Sequence, residues 1–93
     1  MEEKKLDKEK LIQRMTDNLP MLRTRLGLTQ EDLANKIGLS RSTVVAIENR
    51  KREMTWNTFL SLMLLFIKNE VTNKLLTALE IYTDDFHDFI RDR

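Results

Sequence analysis

The chain has 93 residues, a formal net charge of +1, two glycines, one proline and no cysteine. That length suits one domain with one core, and a chain so poor in glycine and proline favours an all-helical class. The missing cysteine excludes disulfides and thiolate metal sites and fits a reducing cytoplasm. The opening MEEKKLDKEK has no apolar core of the signal-peptide kind. The longest apolar run, Trp56 to Ile67, falls short of the roughly 20 residues that cross a bilayer. The expectation is a cytoplasmic protein without membrane segments.

Charge is unevenly placed. Residues 29–52 carry Lys36, Arg41, Arg50, Lys51 and Arg52 against Glu31, Asp32 and Glu48. Residues 80–93 carry Glu80, Asp84, Asp85, Asp88 and Asp92 against Arg91 and Arg93. A basic middle beside an acidic tail leaves room for a local anionic partner.

In chain order, Ile12, Met15, Leu19, Leu22 and Leu26 recur at helical spacing, interrupted by Pro20. Proline fits best in a first turn, so two helices are expected, over about 5–16 and 19–26, with Asn18 capping the second. Gly27 then stops the helix, and Thr29-Gln30-Glu31-Asp32 reads as a capping box opening another. Gly38 ends that helix in the left-handed region and Ser40 caps the next. Two short helices, about 30–37 and 41–48, are thus joined by only Gly38-Leu39-Ser40, a helix-turn-helix layout. Thr55 caps a helix over 56–67 that is apolar nearly all round and must be covered on several sides. Leu75, Leu76 and Leu79 give a further helical face, and Thr83 caps a last helix with Phe86, Phe89 and Ile90 inward.

Catalytic apparatus is not visible. His87 lies among Asp84, Asp85 and Asp88, but nothing elsewhere offers convergent ligands, so no catalytic, metal or cofactor site is assigned. The helix from Ser40 is different. Val44 and Ile47 turn inward on a helical wheel, while Arg41, Ser42, Val45, Ala46 and Asn49 turn outward. A face polar at its start and small in its middle suits the major groove of duplex DNA, with Arg41 reaching a guanine edge. A cation in a first turn opposes the helix dipole, so capping alone does not account for Arg41.

Across Leu22 to Phe66 the string LRTRLGLTQEDLANKIGLSRSTVVAIENRKR strongly resembles the helix-turn-helix domain of the Cro-like, phage-repressor family, often called Xre-type. The resemblance implies a lambda-repressor-like helical bundle, with 30–37 as positioning helix and 41–49 as recognition helix. It implies base contacts by Arg41, Ser42, Val45 and Ala46, phosphate contacts by Gln30, Ser40, Thr43, Asn49, Lys51 and Arg52, and a buried ion pair between Arg23 and Glu48. Where family members commonly carry glycine this chain has Arg50, which either accepts the left-handed conformation or lets the helix run on.

One domain over 1–93 follows, divided into a charged amino-terminal helix (1–18), a helix-turn-helix core (19–67) and carboxyl-terminal helices (68–93) suited to dimerisation. The expected function is a non-enzymatic, sequence-specific regulator of transcription, a repressor binding a palindromic operator as a homodimer. The rivals are an antitoxin-like DNA-binding module with a protein partner, and a helix-turn-helix used only as a protein-interaction scaffold.

Overall fold

A computed structural model describes residues 5–91, and among them every regular element is helical. The helices are α1 (Lys8–Arg25), α2 (Gln30–Ile37), α3 (Arg41–Glu48), α4 (Trp56–Ile67), α5 (Glu70–Ala78) and α6 (Asp84–Arg91). The ends of the two flanking segments, residues 1–4 with Asp92 and Arg93, lie outside the described residues.

The expected break at Pro20 is not there. A single helix runs from Asp7, whose side chain accepts from the Lys10 N–H, through Pro20 to Arg25. Leu11, Met15, Leu19 and Leu22 form one buried stripe along it, each 3% exposed or less. A proline inside a helix costs about 3 kcal/mol. Each of those side chains returns about 1.5–3 kcal/mol on burial, and a break would swing Leu19 and Leu22 out of line with Leu11 and Met15. Packing therefore outweighs local preference. Asn18, expected as a cap, instead donates through Nδ2 to the Arg14 carbonyl at 2.8 Å. The boundary placed between 18 and 19 accordingly falls inside α1.

α2 opens with the complete capping box: Thr29 Oγ1 accepts from the Asp32 N–H at 3.0 Å, and Asp32 Oδ2 accepts from the Thr29 N–H at 3.1 Å. α4 is the centre of the bundle, packed against α1, α2 and α5. Phe59, Leu62, Met63 and Phe66 are buried on it, while Leu64 is 67% exposed. Asn69 caps α5 by accepting from the N–H groups of Val71 and Thr72. Thr72 Oγ1 then donates to the Phe66 carbonyl at 2.6 Å, tying the corner between α4 and α5.

α6 is seated by its aromatic rings. Phe86 is buried among Trp56, Phe59 and Tyr82. Phe89 and Ile90, expected inward, are 42% and 48% exposed. α6 buries Phe86 on its first turn. On the second, Phe89 meets the Trp56 ring at 5.9 Å and Lys8 covers part of it, with its ammonium 5.4 Å from the Phe89 ring, which leaves Phe89 and Ile90 partly open to water.

Four helix ends share one closure. After α1, Gly27 and Leu28 donate to the carbonyls of Thr24 and Arg23. After α3, Arg50 and Lys51 donate to Ile47 and Ala46, and after α5, Glu80 and Ile81 donate to Thr77 and Leu76. After α2, Leu39 donates to Ala34. Each needs one residue in the left-handed region: Gly27 at φ 71, Gly38 at 77, Arg50 at 62 and Glu80 at 60.

Candidate nucleic-acid interface

The amino terminus of α3 is organised by hydroxyls. Ser40 is in extended backbone, and its Oγ accepts from the Thr43 N–H at 3.2 Å. The same oxygen lies 2.8 Å from Thr43 Oγ1 and 3.1 Å from Ser42 Oγ. Ser40, Arg41 and Ser42 are exposed, whereas Thr43 is half-buried. One turn on, Val44 and Ile47 are buried against the core, and Val45 and Ala46 are half-buried. Asn49, Lys51 and Arg52 are exposed. The outward strip is thus polar at both ends and small in the middle.

Beside the buried Val44 and Ile47, one acidic side chain ties α3 to α1 and α2. Glu48 Oε2 accepts from Arg23 Nε at 2.8 Å and Oε1 from Arg23 Nη2 at 3.2 Å, a two-pronged pair whose side chains are only 14% and 5% exposed. Arg23 Nη1 also donates to the Leu28 carbonyl at 2.9 Å, and Gln30 Nε2 donates to Glu48 Oε1 at 3.0 Å. Three elements therefore meet at Glu48: the end of α1, the first residue of α2 and the last residue of α3. The buried carboxylate has its acceptor sites filled by a planar guanidinium and an amide, which meets the main cost of burying a charge. The Gln30 link is not legible in sequence, because it depends on how α2 crosses α3. It places the Gln30 amide inside this network.

The turn after α3 is set by the main chain. Asn49 ends the helix, Arg50 takes the left-handed conformation, and the N–H groups of Lys51 and Arg52 both reach the Ala46 carbonyl, at 2.8 and 3.3 Å. Arg50 points back to α1, donating through Nη1 to Asp17 Oδ1 at 2.6 Å. That hydrogen bond, more than any other influence, holds the Asp17 carboxyl below its ordinary value. The Thr29 N–H does the same for Asp32 at the head of α2. The second non-glycine left-handed residue is tied to the same helix: Arg14 Nη1 donates to the Glu80 carbonyl at 2.8 Å, and its Nη2 lies 3.5 Å from Glu80 Oε1.

On the opposite flank, His87 Nδ1 lies 2.9 Å from the Tyr82 hydroxyl. Among the described residues no group of three or more His, Cys, Asp or Glu could hold a metal, and no helix is long and apolar enough to cross a membrane.

Residues 21–55 match the family model described as helix-turn-helix, the segment that carries α2, the turn and α3. Over that segment the chain is similar to the Cro-like, Xre-type helix-turn-helix. The chain is also similar to an uncharacterised HTH-type transcriptional regulator of Methanocaldococcus jannaschii, 51% identical over 37 residues. The match covers 40% of this chain and 56% of that relative, so the chain spans little more than half of its length. No solved structure matches this chain.

Proposed function

We propose that this protein is a sequence-reading, double-stranded DNA-binding regulator of transcription, acting without catalysis in the cytoplasm. The observation that carries this reading is the exposed strip on α3, held by Glu48 at a fixed angle to α2 and α1. A major groove accepts one α-helix whose first turn reaches deepest. There Arg41 serves as a two-pronged donor to a guanine edge, and Ser42 contacts the adjacent base. The small surfaces of Val45 and Ala46 let the helix approach thymine methyl groups. Ser40, Thr43, Asn49, Lys51 and Arg52 flank the strip toward the phosphates, with Gln30 at the head of α2.

One helix reads few base pairs, so the operator is a two-fold repeat bound by a homodimer, with half-site centres about 10 bp apart. Leu64 and Val71, 67% and 52% exposed on either side of the corner between α4 and α5, supply apolar surface for the protomer contact. Repression then follows from occupancy of the operator.

Selection from a random duplex library at about 0.15 M salt tests the reading. An enriched inverted repeat supports it. Binding of all sequences alike, fading as salt rises, would reduce it to phosphate attraction. Within the enriched site, Arg41→Ala should cost about 1–3 kcal/mol and relax preference at one base pair. A second reading, capture of a basic protein partner as in antitoxin-like modules, draws on Phe89 and Ile90 standing exposed on an acidic helix.

A further inference from the structure

Of the three cations in the turn after α3, Arg50 is the one whose charge is answered from a distant helix. Its guanidinium sits 2.6 Å from a carboxylate 33 residues earlier in the chain, on α1. The same Asp17 oxygen accepts from Gln13 Nε2 at 3.1 Å. The pair is nevertheless open to water: the side chains of Arg50 and Asp17 are 56% and 43% exposed. Arg50 also borders an open cavity of about 430 Å³ between α1 and the turn, lined by Gln13 and Arg52 together with the carboxylates of Glu9 and Glu53. The Arg50 guanidinium, more than half exposed, can therefore take a partner from solution on its open side without disturbing the core.

An exposed ion pair is weakly held. A phosphate offers a guanidinium two parallel hydrogen bonds and a full negative charge, as good a partner as the carboxylate. Arg50 directly follows Asn49 and precedes Lys51 and Arg52, the residues placed toward the DNA backbone above. The main chain pins the turn through Ala46, so the long side chain can change partner while the backbone stays where it is.

We infer that Asp17 is an internal counter-ion for Arg50, exchanged for a backbone phosphate when α3 docks, so that α1 limits how tightly the protein grips DNA of any sequence. This inference rests on the DNA-binding reading. It makes Asp17 a positioning residue that acts through Arg50: the pair has to open before the guanidinium takes the phosphate, so docking loses what the pair contributed. Neutralising it should leave base preference unchanged while strengthening binding to every duplex.

The test measures affinity for a random-sequence duplex across a salt series, for the wild-type protein, Asp17→Asn, Arg50→Gly and the double variant. Glycine at 50 keeps the left-handed turn, and circular dichroism checks that each variant folds. Asp17→Asn should bind several-fold more tightly than wild type at low salt, with the slope of log K against log salt steeper by up to about 0.9, the contribution of one phosphate. In the Arg50→Gly background the same substitution should change affinity less than about two-fold, since the exchanged cation is gone. Unchanged or weaker binding by Asp17→Asn, beside a wild type that binds, overturns the exchange alone. So does an equal gain in the Arg50→Gly background, which would mean general charge repulsion. A duplex left unbound at low salt by wild type and variants alike would sink the DNA reading and the exchange with it.

Discussion

The turns after α2 and after α3 are closed by the same bond, from the residue after the left-handed one to a carbonyl five residues back, and differ in what fills the left-handed position. At Gly38 the left-handed residue has no side chain, and a Cβ built there would meet nothing within 4 Å. At Arg50 a full side chain adopts the same conformation, at φ 62 against 77. The left-handed region costs a non-glycine residue about 1–2 kcal/mol. The turn after α3 meets that cost with main-chain bonds to Ile47 and Ala46 and an ion pair to α1. Glu80, reached by Arg14, repeats the arrangement after α5. Both corners are closed by the main chain, and the second adds a surface ion pair to the amino-terminal helix. A glycine at the end of a helix therefore marks a corner, but its absence does not deny one.

Several variants break or sharpen that contrast. The largest effect is expected where the end of α1, the start of α2 and the end of α3 share a support. Arg23→Met leaves Glu48 buried with only Gln30 as a polar partner and frees the Leu28 carbonyl, and should destabilise the protein by about 3–5 kcal/mol. Thermal melting followed by circular dichroism would register this as a fall of well over 10 °C, at about 4–8 °C per kcal/mol for a domain of this size. A fall of only a few degrees would mean that the bundle does not depend on the ion pair. Next, Gly38→Ala should cost about 1–2 kcal/mol, through backbone strain alone, since there is room for the methyl group. Chemical denaturation would resolve it.

Arg50→Gly is the converse exchange. Relief of the left-handed strain and loss of an exposed pair nearly cancel, so stability should change by less than about 1 kcal/mol. A larger loss would show that the link to Asp17, rather than the main chain, makes the corner. The smallest effect is in the pH profile. Asp32 is depressed by the Thr29 N–H in the folded protein. A carboxyl lowered on folding contributes stability above its ordinary value of 3.8, and that contribution is lost as pH falls below 3.8 and through the lower folded value. Asp32→Asn should flatten that acid limb. An unchanged limb would shift the acid sensitivity to Asp17, whose carboxyl is lowered by Arg50.

The all-helical fold was legible because its punctuation is local. Thr29 with Asp32, Gly38, Ser40 and Thr55 act through residues one to three positions away, and each stands at the helix end that its chemistry marks. Pro20 misleads because local preference is overruled by a stripe that includes Leu11 and Met15, two turns earlier. Phe89 and Ile90 mislead for a related reason: helical spacing gives a face, but not how much of it the neighbouring elements cover. The pairing of Arg50 with Asp17 and of Gln30 with Glu48 depends on helix crossings that no spacing encodes. For the α3 strip, sequence spacing separates the buried Val44 and Ile47 from the exposed Arg41 and Ser42, while the half-buried depth of Val45 and Ala46 is set by the neighbouring elements.

Two amide hydrogens, from Lys51 and Arg52, converge on the carbonyl oxygen of Ala46. A main-chain oxygen is indifferent to the side chain on its own residue. Position 46 can therefore be rewritten, within the size that its half-buried site allows, without loosening the turn that follows α3. Folding instructions and surface lettering occupy the same residue through different atoms. A lineage can then exchange what α3 presents to its partner while inheriting the frame that presents it, and a library randomised at 42, 45 and 46 starts from an intact scaffold.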